Sequence, residues 1–294
     1  MAAIDLAALN QAAPEQFHAA LADVVEHAPW VADALLARRP FPSLRDMWSV
    51  LQRAVREAPH EHRLALVRGH PDLAGKPARA GQVTADSAAE QAGAGLDQLS
   101  ARDFAEFHRL NDAYRARFGF PFVICVRRHG RESILAEFAR RLGQEPEAEL
   151  RMALDEVLRI AALRLDQRVT ASDRLAVHGR LSTHVLDTRI GRPAAGVPVA
   201  LVELWQGGER ELARAITNAD GRTDRPLIAD RPVSIARYEL RFRLAAYFAG
   251  SGVPLAAPPF LDLVPIRFAV AEPEGNYHVP LLVTPWSYAT YRGS

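Results

Sequence analysis

The chain has 294 residues, 49% apolar and 24% charged: the balance of a soluble globular protein, with length for two ordinary domains. Thirty-six basic residues face thirty-five acidic ones, and no stripe of Lys and Arg marks a nucleic-acid surface. Lys76 is the only lysine, so Schiff-base chemistry at any other lysine is excluded.

The charge is spread evenly, with 22 bases against 23 acids in residues 1–168 and 14 against 12 in residues 169–294. Cys125 is the only cysteine, which excludes an intrachain disulfide and a cysteine-paired zinc site. Its setting, Phe-Val-Ile-Cys-Val, reads as core. The opening MAAIDLAALNQAAPEQF lacks the basic start and apolar run of a signal peptide. No stretch approaches the ~20 apolar residues of a membrane helix. A cytoplasmic protein with no nucleic-acid or membrane partner is expected.

Residues 14–167 carry the helical period. Phe17, Leu21, Val24 and Val25 open it. Ser43 stands as an N-cap before Leu44, Met47, Trp48 and Leu51, and Ser100 with Asp103 before Phe104, Phe107, Leu110 and Tyr114. Ile134, Leu135, Phe138 and Leu142 predict another helix, and the series from Leu150 to Leu165 a long final one. The expectation is an all-α bundle.

Two loops punctuate it. In Arg68-Gly69-His70-Pro71-Asp72-Leu73-Ala74-Gly75-Lys76, Gly69 ends a helix and Pro71 forces His70 into extended backbone. That histidine reads either as a cap on the helix C-terminus or as a group facing a cleft. In Thr84-Ala85-Asp86-Ser87-Ala88-Ala89-Glu90-Gln91, Ser87 and Glu90 have capping-box spacing, and physics alone favours that structural role. Gly93 and Gly95 follow, and glycine in a helix signals close approach of another body. His60 and His62 lack a third ligand at metal spacing, and His108 and His129 read as solvated.

Taken together, HPDLAGK, TADSAAEQAGAG, LNDAYRARFGFPFVICVR and EVLRIAALRL resemble the 2-oxo-4-hydroxy-4-carboxy-5-ureidoimidazoline (OHCU) decarboxylases, in order and spacing, over almost all of residues 10–167. The resemblance implies that His70 is the main catalytic residue, assisted by Glu90. It implies that Pro71, Ser87, Gln91 and the segment of Phe122, Val123 and Ile124 hold the substrate, with Arg164 on its carboxylate. No metal and no cofactor is implied, because the adjacent ring C=N can delocalise the electron pair left by carbon dioxide. His70 would deliver a proton to one face of the ring.

Helical periodicity stops in DQRVTASDRLAVHG, and residues 168–179 read as a linker. From Arg180 the period becomes two. Strands are predicted over Leu181–Asp187, Val197–Trp205, Glu211–Thr217, Tyr238–Phe242, Pro265–Ala271 and His278–Thr284, and one short helix over Arg243–Ala249. Turn signals separate them, which argues a β-sandwich. In the last strand Val279, Leu281 and Val283 would face the core and His278 the opposite side. Trp286, Tyr288 and Tyr291 then suggest a packed rather than a loose tail.

The segments LSTHVLDT, TNADGR, YHVPLL and SYATYRGS resemble 5-hydroxyisourate hydrolase, the enzyme relative of transthyretin, across residues 180–294. This resemblance implies a transthyretin-like fold and marks His184, Arg222, His278 and the tail residues Tyr291, Arg292 and Ser294 as functional. With no cysteine, G-x-S-x-G elbow or zinc motif in this half, direct attack by water is expected. One histidine would take the water's proton, the choice between the two staying open, and Arg222 would steady the oxyanion. The resemblances also imply small-molecule substrates and a homo-oligomer, a tetramer through the second domain with dimer contacts in the first. Residues 1–167 and 180–294 would then catalyse consecutive steps of urate breakdown. The competing readings are a ligand carrier without turnover and a chain with one active half.

Overall fold

The computed structural model describes residues 3–74, 84–96 and 99–293. Gly75, Lys76 and Ser294, all named above, lie outside the described residues. The chain divides into two compact units: Met1–Arg127 with Ser133–Val177, and Arg128–Glu132 with His178–Ser294.

The first unit is helical. A two-residue strand β1 (Ile4–Asp5) leads into α1 (Leu6–Gln11), α2 (Pro14–Leu21), α3 (Pro29–Leu36), α4 (Leu44–Glu57) and α5 (His60–Arg68). After these come α6 (Ala85–Gly93), α7 (Ala101–Phe118), α8 (Arg131–Arg141), α9 (Pro146–Arg168) and a short strand β2 (Val169–Thr170). β1 and β2 pair in parallel, a contact too short to leave a period in the sequence. Helix starts follow local chemistry. Ser43 accepts from the Asp46 N–H at 3.0 Å and Ser100 from the Asp103 N–H at 3.1 Å, each pairing a donor that the helix cannot. Gly119, at φ 72°, ends α7 in the left-handed region where only glycine is at ease.

On α4, Leu44, Met47, Leu51 and Val55 are buried at helical spacing. Phe122 stacks on Phe138 at 3.7 Å, and Tyr114 meets Phe122 edge-on at 5.2 Å. Inside this cluster Arg141, fully buried, donates to Glu149 at 2.8 Å and to the Val123 carbonyl at 2.8 Å. A buried guanidinium survives only when so paired. Past α9 the stretch read as a linker packs on this unit through Val177. Val169 is buried, and the Asp173 carboxylate accepts from the Leu44 and Arg45 N–H groups at 3.0 Å, capping α4 from afar.

The second unit is built of strands: β3 (Gly179–Ser182), β4 (Val185–Asp187), β5 (Arg192–Pro193), β6 (Pro198–Trp205), β7 (Gly208–Ile216), β8 (Ile228–Arg231) and β9 (Ala236–Arg243). Helix α10 (Ala245–Gly250), β10 (Leu263–Val270), β11 (Asn276–His278), β12 (Leu281–Val283) and β13 (Tyr288–Thr290) complete it. One sheet runs β10-β9-β6-β7, all antiparallel. The other strands order as β11-β3-β8 and β13-β12-β4-β5. Leu181, Val185, Val199, Leu201, Leu240, Phe242, Leu281 and Val283 share one core.

Two strands predicted as continuous are each broken, and at the same level. Ser182 pairs with His278 and Val185 with Leu281, one register on both sides of the gap. Pro280 sits in the gap and has no N–H to give the ladder. β8 carries no alternation long enough to be read, being four residues between Pro226 and Pro232. His129, expected in solvent, is 7% exposed, because its segment belongs to the second unit: Gly130 N–H donates to Ile235 O at 3.0 Å and Ile235 N–H to Arg128 O at 2.8 Å. The tail also departs from expectation. Trp286, Tyr288 and Tyr291 are 60%, 47% and 56% exposed. The tail attaches by its backbone at a sheet edge, so its rings project outward.

Candidate active sites

In the helical unit His70 follows Gly69 at the C-terminus of α5, and its Nδ1 lies 3.0 Å from the Leu66 carbonyl. That carbonyl belongs to the last turn of the helix, where it lacks a backbone donor. Nδ1–H therefore caps the helix and Nε2 carries the free lone pair, so the capping and cleft readings hold together. Gly69 packs closely on His27: a Cβ there would lie 3.2 Å from its ring.

The capping-box reading of Ser87 is overturned. Helix α6 starts two residues earlier, with Thr84 as N-cap accepting from the Ser87 N–H. Ser87 Oγ instead donates to Glu26 at 2.9 Å. Glu90 receives two bonds from Arg164, 3.0 Å from Nε and 2.8 Å from Nη2. His70, Pro71, Ser87, Glu90 and Gln91 line one cavity of about 40 Å³. Phe122, Val123 and Ile124 close its other wall. That wall is held from behind by Arg141 on the Val123 carbonyl and by Glu156, which accepts from the Cys125 N–H at 2.9 Å. Gln91 Oε1 accepts from the Ala74 N–H at 3.1 Å, which leaves its NH₂ for the cavity.

Arg164 differs from its expected part. It is 3% exposed and absent from the lining, with Nη1 on Glu26 at 3.0 Å and on the Asp23 carbonyl at 3.0 Å. Its guanidinium is fully engaged by Glu90, Glu26, Ser87 and the Asp23 carbonyl. Glu26 was invisible to sequence reasoning, since its partner lies far along the chain. Burial opposes its ionisation, but Arg164 and the hydrogen bonds from Thr84 and Ser87 outweigh burial and hold its carboxyl below the ordinary value. Burial pushes His70 down, with Arg164 and His27 acting the same way against the Leu66 bond and Glu26. His70 is thus neutral at pH 7. A larger hollow of about 280 Å³ lies between α2 and α3, walled mainly by apolar side chains and lacking this charged set.

In the strand unit the period of two places Ser182, His184 and His278 on the outward face, with Leu181, Thr183, Val185 and Val279 buried behind. His184 Nδ1 is 2.7 Å from His278 Nε2, and His278 Nδ1 is 2.9 Å from Ser182 Oγ. The backbones of His184 and Arg222 form a bridge, which sets Arg222 beside the pair. Gly221 makes this possible. It sits at φ 69°, and a Cβ would fall 2.3 Å from the Val185 carbonyl oxygen. Burial lowers the His184 pKa, with Arg222 adding to it; burial lowers that of His278, with His184, Arg222 and Arg180 adding.

The tail reaches this pair through its backbone. Gly293 N–H donates to the His278 carbonyl at 2.8 Å, and a Cβ on Gly293 would lie 2.9 Å from the imidazole. Arg292 lies over the Tyr277 ring at 5.0 Å, and the Tyr291 side chain is exposed. Ser182 was within reach of sequence reasoning, because it lies two residues before His184 on one strand face. Among the described residues no group of three or more His, Cys, Asp or Glu is placed to hold a metal, and no helix is long and apolar enough to cross a membrane.

Residues 10–166 match the family described as OHCU decarboxylase, and residues 181–293 the HIUase/Transthyretin family. A 5-hydroxyisourate hydrolase of Deinococcus radiodurans is 53% identical over 117 residues, 40% of this chain and 98% of that one. A 2-oxo-4-hydroxy-4-carboxy-5-ureidoimidazoline decarboxylase of Haloferax volcanii is 41% identical over 168 residues, 57% of this chain and 98% of that one. The crystal structure of an (S)-allantoin synthase is 31% identical, with a TM-score of 0.52, across 99% of this chain and 100% of its own.

Proposed function

Since the chain belongs to the OHCU decarboxylase family in its first part and to the HIUase/Transthyretin family in its second, we propose that it is a bifunctional enzyme of urate catabolism, an (S)-allantoin synthase. The strand unit opens 5-hydroxyisourate to OHCU, and the helical unit decarboxylates OHCU to (S)-allantoin. One observation carries this reading: a single chain supplies both His70 beside Glu90 in a cavity and a hydrogen-bonded imidazole pair beside Arg222.

In the helical unit the C–C electron pair left by carbon dioxide passes into the ring C=N, and the ring nitrogen takes up a proton from solvent. His70 Nε2, neutral and free, takes the proton of the substrate hydroxyl as that group becomes a carbonyl. The same proton, returned to one face of the neighbouring carbon, sets the hand of the product. His70 is therefore a shuttle rather than a standing acid. Glu90 and Ser87, held by Arg164 and Glu26, orient the substrate together with Pro71, Gln91 and the Phe122–Ile124 wall. Arg164 meets the substrate carboxylate only if Glu90 yields a place on the guanidinium.

In the strand unit water attacks the imide carbonyl, one imidazole accepting its proton and Arg222 stabilising the oxyanion. Tyr291 and Arg292 of the tail take part in substrate binding, and Ser294 in catalysis. No cofactor is required for either step. The exposed rings of Trp286, Tyr288 and Tyr291 support self-association: a tetramer through the strand unit, with dimer contacts in the helical one. The location is cytoplasmic. Fresh 5-hydroxyisourate mixed with the protein tests the reading. Absorbance must fall faster than by spontaneous decay while circular dichroism of one sign grows in. Tight binding without either change would instead make the protein a carrier.

A further inference from the structure

We propose that Ser182, His278 and His184 form a directed hydrogen-bond chain in which Ser182 and His278 are positioning groups and His184 takes the proton from the attacking water. The inference rests on the hydrolase reading above and adds to it an assignment of roles.

The argument starts from the ring nitrogens. His278 has none to offer: Nδ1 is 2.9 Å from Ser182 Oγ and Nε2 is 2.7 Å from His184 Nδ1. Of the four nitrogens in the pair, Nε2 of His184 is the one with no protein partner among the described residues. A general base needs a free lone pair within reach of the proton that it removes.

The sheet makes this arrangement. Ser182 and His278 are direct register partners on parallel strands, and His184 lies two residues beyond Ser182 on the same face. The Val279 N–H bonds the Ser182 carbonyl at 3.0 Å and the Leu281 N–H that of His184 at 2.8 Å, which fixes both backbones. The Ser182 hydroxyl both donates and accepts, so it can end the chain in either direction. Only one direction yields a base. With His184 Nδ1–H donating to His278 Nε2, and His278 Nδ1–H donating to Ser182 Oγ, the His184 Nε2 is bare. The opposite direction would place a proton there.

The step balances. His184 Nε2 takes a proton as the water oxygen bonds to the imide carbon. The C–N bond then breaks, and the same proton passes from Nε2 to the departing ring nitrogen. Water has added across one bond, and the imidazole pair returns to its starting state. This is the logic of a base oriented by a third group, here a neutral imidazole and a hydroxyl in place of a carboxylate.

The test uses the full chain, freshly generated 5-hydroxyisourate and initial rates above spontaneous decay. Ser182→Ala removes the hydroxyl alone; Ser182→Thr keeps it. Ser182→Ala lowers kcat about tenfold, the scale of one orienting hydrogen bond, with KM unchanged. Ser182→Thr recovers most of that loss. Nitrogen-15 spectra of the wild-type imidazoles at pH 8 show the proton of His184 on Nδ1. A wild-type kcat in Ser182→Ala, an equal loss in Ser182→Thr, or a proton on His184 Nε2 each overturns the assignment. A wild-type chain that fails to accelerate ring opening instead overturns the hydrolase reading on which it stands.

Discussion

Replacing Arg164 with methionine leaves Glu26 facing its own burial without a counter-charge. The Glu26 side chain is 3% exposed and the Arg164 side chain 4% exposed, so solvent screens the pair little. Removing one partner of a buried ion pair costs about 3–5 kcal/mol. The cost depends on pH in a direction fixed by the structure. In the wild type the Glu26 carboxyl lies below its ordinary value, so its contribution is present above the unfolded pKa and fades as pH falls through the folded one. In Arg164→Met burial acts unopposed by the guanidinium and raises the carboxyl. The variant then loses stability as pH rises, at about 1.4 kcal/mol per unit until the carboxyl ionises or the unit unfolds. The deficit is therefore largest near pH 8 and shrinks toward pH 5. Amide exchange in α6 and α9, followed at both pH values, measures it, and the strand-unit amides serve as an unchanged reference. A deficit below about 1 kcal/mol, or one equal at pH 8 and pH 5, refutes the reasoning, since such values belong to exposed pairs.

Three other outcomes are expected. Gly221→Ala places a Cβ 2.3 Å from a backbone oxygen at a left-handed φ, and should cost several kcal/mol in the strand unit and abolish ring opening, checked by thermal unfolding and rate. The acid limb of the hydrolase rate should fall below the ordinary imidazole pKa, because burial lowers both rings, helped by Arg222 at His184 and by His184, Arg222 and Arg180 at His278. A rate profile with its midpoint above pH 7 contradicts that. Gly69→Ala crowds the His27 ring beside His70 and should reduce decarboxylation without slowing ring opening, seen by comparing the dichroic and absorbance signals.

What sequence could reach and what it could not follow a physical divide. Ser43 and Ser100 were legible as caps because the donors they satisfy lie three residues on. His70 was legible as a helix-end residue from Gly69 and Pro71, and the inward set Val279, Leu281 and Val283 from strand alternation. Glu26 was not, since its meaning lies in Arg164 and in hydroxyls of Thr84 and Ser87 that only the fold brings near. Capping-box spacing misread Ser87 because Thr84, three residues earlier, had already begun the helix. Aromatic content misread the tail, whose attachment is a backbone matter: β13 on β12 and Gly293 on His278.

The central claim is that one chain holds two separate centres working in sequence, and a pair of variants assayed on fresh 5-hydroxyisourate tests it most directly. His70→Ala should open the ring at the wild-type rate and yield racemic product, whereas His184→Ala should lose ring opening yet give one enantiomer when supplied with OHCU. Loss of both steps in either variant would contradict the division of labour between helices and strands.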